Sequence, residues 1–226
     1  MNSLTSVRRH GQGSARSALP FVLLLLLAAR TASAATAPSA DPPELPHLDA
    51  GSRLLLVRPS TFDTISEAVG FPNTGGTLLL WGAGGTVTPG LLRAQVAAWT
   101  GGLSAVQGSK TTSWGMDLGA LSLEQRYPVG QFTLTAGSSF EMGQLTGVLD
   151  DGGSLTRVLA QVYGFGINAG ARWPAQTRMG FSARVGYLWL GGAGIWHGAL
   201  AQNPVLGTSQ FDLSGPDARL QAELSF

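Results

Sequence analysis

Large apolar residues alternate with small or polar residues along most of the chain after residue 75. In the clearest run, 178–190, Met179 and Phe181 lie on one face, while Arg178 and Arg184 lie on the other. This alternation has the period of a β-strand. Similar runs cover 131–143, 163–173 and 217–226. Each run has about the ten residues that a tilted strand needs to cross a bilayer, so the pattern predicts an all-β protein.

Four further segments alternate less regularly and complete a set of eight predicted strands. They are 53–58, 76–87, 92–99 and 114–123. In the last of these the apolar residues change face near Gly119 and Ala120, which predicts a β-bulge. Short connections are predicted at 88–90, 128–130 and 174–177, and long ones at 101–112, 145–156 and 191–208. Because short and long connections alternate, we expect an antiparallel up-and-down barrel.

One short helix is predicted near the start of the barrel. Phe62, Ile65 and Val69 recur at helical spacing behind Ser60 or Thr61, either of which can cap a helix. The spacing predicts a helix over 60–69. We expect this helix to cover a strand edge or one end of the barrel, and an internal plug is the alternative.

The N-terminal residues do not follow the strand pattern. Residues 1–34 have the organisation of a secretory signal, with leading arginines, an apolar run over 19–29 and the small-residue cleavage site Ala32-Ser33-Ala34. Residues 35–50 are rich in Pro and Ala and predict a disordered lead-in. The barrel domain is therefore predicted over 51–226 of an exported protein.

Composition and charge exclude several classes of function. The 226 residues include 32 Gly and no Cys, which excludes disulfides, thiol nucleophiles and a cysteine-linked lipid anchor. Without residues 1–34, ten Lys and Arg remain against 13 Asp and Glu, a net charge of −3. Only one of those ten is Lys, and they are scattered, so nucleic-acid binding is excluded.

The charges lie mostly on the strand face that also carries Gly, Ser and Thr. They are too few to cover the outside of a soluble barrel, so we expect the apolar face to contact lipid and the charged face to line a narrow lumen. Buried charges need partners, which predicts a structural network of ion pairs rather than a wide diffusion pore. Its predicted members are Arg93, Asp117, Glu124, Arg126, Glu141, Arg172, Arg178, Arg184, Asp217, Arg219 and Glu223.

Aromatic residues lie near the ends of the predicted strands. Trp and Tyr prefer the interface between a membrane and water, so we expect girdles of these residues at both interfaces, with some packed in the core instead. The candidates are Trp81, Trp99, Trp114, Tyr127, Trp173, Trp189 and Trp196.

The predicted strands, the alternating connections and a last strand ending in Phe226 together resemble the small outer-membrane β-barrel proteins of bacteria. The resemblance is one of pattern over about 51–226, and Pro216 departs from it by placing an irregularity in the last strand. It implies a transmembrane barrel in the bacterial outer membrane, with membrane lipid and the outer-membrane assembly machinery as partners. It also implies that this machinery recognises Phe226, with Leu224 on the same face. The Gly-rich segment 81–85 resembles glycine-rich envelope proteins.

The sequence contains no clear catalytic, cofactor or metal-binding constellation. No Ser neighbours His197, for which we expect a surface or packing role. Asp150 and Asp151 could offer oxygen ligands to Ca²⁺, but their spacing favours an ordinary turn. We therefore predict a non-enzymatic outer-membrane protein of structural or surface-interaction type, whose long loops meet a surface partner. The alternative is a soluble exported barrel or sandwich that binds an apolar small molecule.

Overall fold

The computed structural model describes residues 46–56, 59–75, 77–88, 90–174, 178–203, 206 and 208–225. Within them the chain forms nine strands and one helix. They are β1 (His47–Leu56), α1 (Pro59–Ala68), β2 (Thr77–Val87), β3 (Leu92–Gln107), β4 (Lys110–Val129), β5 (Phe132–Asp150), β6 (Leu155–Trp173), β7 (Met179–Gly198), β8 (Thr208–Asp212) and β9 (Gly215–Ser225). No helix among the described residues is both long and apolar enough to cross a membrane.

The strands pair antiparallel and close into a barrel. Each strand from β1 to β7 pairs with the next one, and β9 pairs with both β7 and β1. β8 continues the register of β9 along β7, so the two form one barrel strand interrupted at Leu213 and Ser214. There the Leu190 N–H donates to the Ser214 hydroxyl at 3.2 Å. The predicted all-β, eight-stranded antiparallel barrel is confirmed, and the break lies just before Pro216.

The predicted bulge in β4 is wrong. The pairing of β4 with β3 and with β5 runs unbroken through Gly119 and Ala120. The apolar residues change face in the sequence because the interior of the barrel changes from apolar to polar at this point. The inward side chains are Trp114, Met116, Leu118 and Ala120 before the change, and Ser122, Glu124 and Arg126 after it.

The same change divides the whole barrel into two halves. The terminal half is the end where β1 begins and β9 ends, and its buried inward side chains include Asp49, Arg93, Glu124, Arg184 and Glu223. The helix half is the opposite end, next to α1, and its buried inward side chains include Leu80, Trp114, Leu145, Val158 and Trp196.

The strands are longer than predicted, and the predicted long loops are correspondingly short. β3 and β4 meet at Gly108 and Ser109, inside the predicted loop 101–112. Gly, Ser and Thr are frequent in these segments, and such small side chains weaken the contrast between the two faces of a strand. The connections at the helix end are 57–76, 108–109, 151–154 and 199–207.

β1 begins earlier than the sequence pattern predicts. The predicted lead-in covers 35–50 and the predicted first strand 53–58, whereas the strand spans His47–Leu56. Buried Asp49 already belongs to the alternating pattern, which the preceding prolines obscure. The barrel domain therefore includes residues 47–50. The predicted signal and residues 35–45 of the lead-in lie outside the described residues.

α1 closes the helix half with an aromatic side chain. The predicted helix over 60–69 is found at Pro59–Ala68. Its fully buried Phe62 stacks on Trp114 inside the barrel, with 4.5 Å between ring centroids. After the helix, the Gly70 carbonyl accepts a hydrogen bond from Lys110 Nζ at 2.7 Å. α1 therefore fills the end of the barrel rather than only covering a strand edge.

Glycine gives room to the large side chains inside both halves. A Cβ at Gly170 would lie 2.6 Å from Cγ of Arg184, and one at Gly82 would lie 2.6 Å from the Trp99 ring. In each case the glycine is directly paired with the large residue on the next strand. The pairs of this kind include Gly82 with Trp99, Gly147 with Trp114, and Gly170 with Arg184. The high glycine content thus has a packing role in the lumen.

Candidate functional site: a charged lumen inside an apolar belt

One group of buried charges, the mid-barrel cluster, consists of Arg53, Glu141, Asp217 and Arg219. Arg53 donates to both Glu141 oxygens at 2.6 and 3.0 Å and to Asp217 at 2.6 Å. Arg219 donates to Glu141 at 2.9 Å and to Asp217 at 2.8 Å. Both guanidinium groups lie about 6 Å from the centroid of the Trp99 ring. Two positive and two negative charges therefore compensate one another away from water.

A second group, the end cluster, lies nearer the chain termini. Its members are Asp49, Arg93, Glu124, Arg172, Arg184 and Glu223. Glu223 is at its centre, because it accepts hydrogen bonds from Arg93 at 2.8 Å and from Arg172 at 2.7 Å. Arg184 lies 3.7 Å from Glu223 and 3.3 Å from Glu124. Three arginines and three carboxylates make this cluster neutral as well.

Polar uncharged side chains complete the end cluster. Asp49 accepts hydrogen bonds from the Thr86 hydroxyl and from Gln95 Nε2, both at 2.6 Å. Arg184 donates to the side-chain oxygens of Gln95 at 2.9 Å and of Gln221 at 2.6 Å. Gln95 therefore links a carboxylate and a guanidinium group through its two amide atoms.

These contacts cross the full width of the lumen. β1 and β5 face each other in an eight-stranded barrel, and the Arg53–Glu141 pair joins them. β3 and β7 also face each other, and the hydrogen bond between Arg184 and Gln95 joins them. An eight-stranded barrel is just wide enough for side chains to fill it. The lumen is therefore occupied at two levels by bonded side chains.

Asp117 and Arg178 do not belong to the network, and their prediction as lumen residues is wrong. Asp117 points outward from β4 and accepts a hydrogen bond from the Thr100 hydroxyl at 2.5 Å. The sequence pattern places Asp117 on the inner face because the neighbouring apolar residues, such as Trp114, are themselves inside the barrel. Arg178 is exposed just before β7. The other predicted members are buried and inward: Arg93, Glu124, Arg126, Glu141, Arg172, Arg184, Asp217, Arg219 and Glu223.

Two members of the network are missing from the sequence prediction. Arg53 is completely buried in the mid-barrel cluster, and Asp49 is buried in the end cluster. Arg53 stands before the apolar run 54–57, and its alternation with outward Leu54 was a usable signal. Asp49 was hidden in the segment predicted as disordered.

The outer surface of the terminal half is a belt of exposed apolar side chains. Val185, for example, is 67% exposed. So many exposed large apolar side chains are unusual on a soluble monomer. Its members include Leu48, Val87, Leu92, Val96, Leu121, Leu123, Phe132, Phe140, Phe181, Val185, Leu220 and Leu224.

The aromatic residues divide between the belt and the interior. Trp81, Trp173 and Trp189 are exposed on the outside, and Tyr127 is partly exposed. Three of the predicted girdle residues are buried in the helix half instead: Trp99, Trp114 and Trp196. They do not lie at strand ends on the outside, because the strands continue beyond the predicted boundaries and these positions face inward.

The outer surface of the helix half is mostly polar. Exposed apolar residues are fewer there, and Val106, Leu159 and Ile195 are examples. The exposed polar residues include Thr100, Ser104, Asp117, Gln144, Thr146, Arg157 and Gln161. The helix half therefore has an apolar inside and a largely polar outside, whereas the terminal half has the reverse.

The remaining candidates for chemistry lie outside the lumen. Asp151 accepts hydrogen bonds in its own turn, and the Gly153 N–H, followed by the Ser154 side chain, lowers the pKa of the Asp151 carboxyl. Asp150 accepts from the Gly152 N–H at 2.8 Å. In the described part of the chain, no three His, Asp or Glu residues are grouped to hold a metal ion. His197 is exposed near the end of β7.

Of the two residues in the predicted assembly signal, Leu224 is among the described residues. Leu224 lies on the outer face of β9 and is 41% exposed. Phe226 lies outside the described residues. Leu224 points outward, as do Leu220 and Ala222 on the same strand.

Comparisons with known proteins identify the fold but no sequence family. No protein-family model matches the chain, and no curated protein matches it. Among solved structures, the chain is similar to Neisserial surface protein A (NspA), with a TM-score of 0.54 and 10% sequence identity. The match covers 80% of this chain and 97% of the NspA chain. The fold thus resembles a small outer-membrane β-barrel.

Proposed function

We propose that this chain is an integral protein of the bacterial outer membrane, exported by its predicted signal and serving a structural or surface-interaction role. The observation that carries the proposal is the apolar belt outside a charged interior. Contact between the apolar belt and water would be unfavourable in free energy, whereas lipid chains would cover the belt. The buried charges would be compensated inside the barrel, as they must be within a membrane.

The extent of the belt supports an orientation in which the helix half projects from the membrane. β4 has 20 residues. At about 3.3 Å per residue and a tilt of about 40°, such a strand rises about 50 Å, roughly twice the apolar band of an outer-membrane barrel. The apolar interior and polar exterior of the helix half are those of a soluble barrel. Its rim, which includes α1 and 151–154, is our proposed surface for a partner outside the cell.

The filled lumen supports a role other than diffusion. The mid-barrel cluster and the end cluster join opposite walls at hydrogen-bond distance, and Phe62 fills the helix end. We propose that the chain is not an enzyme. We further propose that the outer-membrane assembly machinery recognises the outward face of β9, with Leu224 and Phe226.

The test is the heat-modifiable gel mobility of the full chain, expressed in a bacterium that has an outer membrane. We expect the protein in the outer-membrane fraction after a salt wash, with faster mobility before boiling than after it. A chain truncated before β8 is the control, because it cannot close the barrel. N-terminal sequencing of the membrane form should begin after Ala34. Recovery of the protein as a soluble monomer would contradict the membrane proposal and favour the soluble alternative.

A further inference from the structure

β9 is a short strand, yet its inward side chains take part in both clusters of polar contacts inside the lumen. It presents four successive inward side chains, Asp217, Arg219, Gln221 and Glu223, all of them buried. These positions face the lumen because inward and outward residues alternate along the strand. The last strand of the barrel therefore brings two carboxylates, one guanidinium group and one amide into the interior together.

The partners of these four side chains come from five other strands. Asp217 bonds to Arg53 of β1, Arg219 to Glu141 of β5, Gln221 to Arg184 of β7, and Glu223 to Arg93 of β3 and Arg172 of β6. Each of these contacts is between 2.6 and 2.9 Å. Only two of the five strands, β1 and β7, are neighbours of β9 in the sheet.

Without β9, two arginines, Arg93 and Arg184, would keep only carboxylates at 3.3 Å or more. The remaining ion pairs of Arg93 are with Asp49 at 3.5 Å and with Glu124 at 3.8 Å. Glu124 of β4 differs from Glu223 in this respect. Its side chain makes no hydrogen bond within the described residues, and its ion pairs with Arg93 and Arg184 are 3.8 and 3.3 Å long. A buried charge that has lost its close partner is strongly unfavourable.

We infer that the charges of β9 drive closure of this barrel: its inward side chains complete the charge network at the moment when β9 pairs with β1. Closure and charge compensation are then one event. An open barrel in a lipid environment carries poorly paired arginines on β3 and β7, Arg93 and Arg184, which favours rapid closure once β9 pairs with β1. This inference concerns how the barrel closes, and it goes beyond the proposed function.

The absence of native cysteine allows closure to be followed by disulfide trapping. Ala50 and Ala222 are directly paired across the seam between β1 and β9, and both are exposed. Ala83 and Ala98 form an equivalent exposed pair between β2 and β3, away from the seam. The double variants Ala50→Cys/Ala222→Cys and Ala83→Cys/Ala98→Cys thus report closure and ordinary strand pairing. The full chain is refolded from urea into phosphatidylcholine vesicles, with oxidation stopped at timed intervals.

We expect Glu223→Gln to delay the seam disulfide by about tenfold or more, and to leave the β2–β3 disulfide within about twofold of its parent. Glu124→Gln removes an equally buried carboxylate that does not lie on β9, and it should delay the seam by no more than about threefold. If Glu223→Gln does not fold, Arg219→Lys provides the second variant. It keeps the charge but loses the planar fork that reaches both Glu141 and Asp217, so an intermediate delay is expected.

Two outcomes would overturn the inference that the charges of β9 drive closure. The first is an equal delay of both disulfides by Glu223→Gln or Arg219→Lys, which would indicate general destabilisation. The second is a seam delay by Glu124→Gln as large as that by the β9 variant. Failure to enter vesicles would contradict the membrane proposal instead, and the same disulfides can then be followed in detergent micelles.

Discussion

The terminal half and the helix half are made from the same continuous strands, yet their inner and outer surfaces are opposite in character. In the terminal half, Glu141 is buried inside while Phe140 is exposed outside. In the helix half, Leu145 is buried inside while Gln144 is exposed outside. All four residues lie within six positions of β5. The alternation of a strand therefore fixes which residues share a face, but not which face meets the core.

The membrane location that we propose would explain the difference between the halves. A strand in water buries its apolar face, and a strand in lipid exposes that face and turns its polar residues inward. The point where the two arrangements meet is then the expected boundary between lipid and water. On β4 this point lies between Asp117 and Leu121 on the outer face. The two halves are stabilised by different interactions, and each can be tested separately.

Removal of a carboxylate from the terminal half is expected to have the largest effect. Glu141→Gln keeps the size of the side chain but leaves Arg53 and Arg219 with one buried negative charge fewer. The expected loss is about 3–5 kcal/mol in the free energy of unfolding. Urea unfolding in vesicles, followed by tryptophan fluorescence, measures it. The control is Asp117→Asn, an exposed carboxylate for which a change within about 0.5 kcal/mol is expected. Equal losses for both variants would show that burial of the network does not matter.

An arginine placed on the outside distinguishes lipid from water along a single strand. Leu123→Arg introduces a charge into the belt, one outward position further from the lipid–water boundary than Leu121, and it should cost about 2–4 kcal/mol near the middle of a bilayer. Ser113→Arg places the same charge on the same outer face of β4, in the helix half, where we expect less than about 0.5 kcal/mol. Folded yield and urea stability in vesicles are the measurements. If Leu123→Arg were as well tolerated as Ser113→Arg, the belt would not face lipid.

The architecture was accessible from the sequence because the strongest strands have large side chains on one face. The run 178–190 kept its inward and outward faces in the structure, with Arg184 inside and Phe181 outside. For Trp114 the same alternation predicts an outer girdle position, with packing in the core as the alternative, and the residue lies inside. Alternation alone cannot make this distinction, since a residue's face depends on what surrounds the barrel at that level.

Other parts of the molecule depend on contacts between distant residues. Arg53 and Glu141 are 88 positions apart, and no local pattern connects them. The glycines opposite large side chains are also invisible in a single strand, because the need for glycine arises only when the register with the next strand is known. Sequence patterns therefore predicted the barrel and most of its inward charges, but not the pairs that those charges form.

A smaller effect tests whether glycine serves the same purpose in the two halves. A methyl group at Gly147 would overlap the Trp114 ring and lie 2.7 Å from Cγ1 of Val158, so Gly147→Ala should cost about 1–3 kcal/mol. Gly170→Ala should cost a similar amount in the terminal half, where the new methyl group would overlap the Ala183 carbonyl oxygen and lie 2.6 Å from Cγ of Arg184. Gly119 is the control, because its nearest contact would be the Met142 carbonyl at 3.7 Å.

The three variants are compared by urea unfolding in the same vesicles. We expect Gly119→Ala to lie within about 0.5 kcal/mol of the parent. If Gly147→Ala and Gly170→Ala were equally harmless, the interior would have room to spare, and the glycine content would need another explanation. If only Gly147→Ala were costly, close packing would be confined to the helix half. That result would require the Ala183 carbonyl as well as the flexible Arg184 stem to shift away from residue 170, whereas the indole ring of Trp114 is enclosed by Phe62, Trp196 and Phe211.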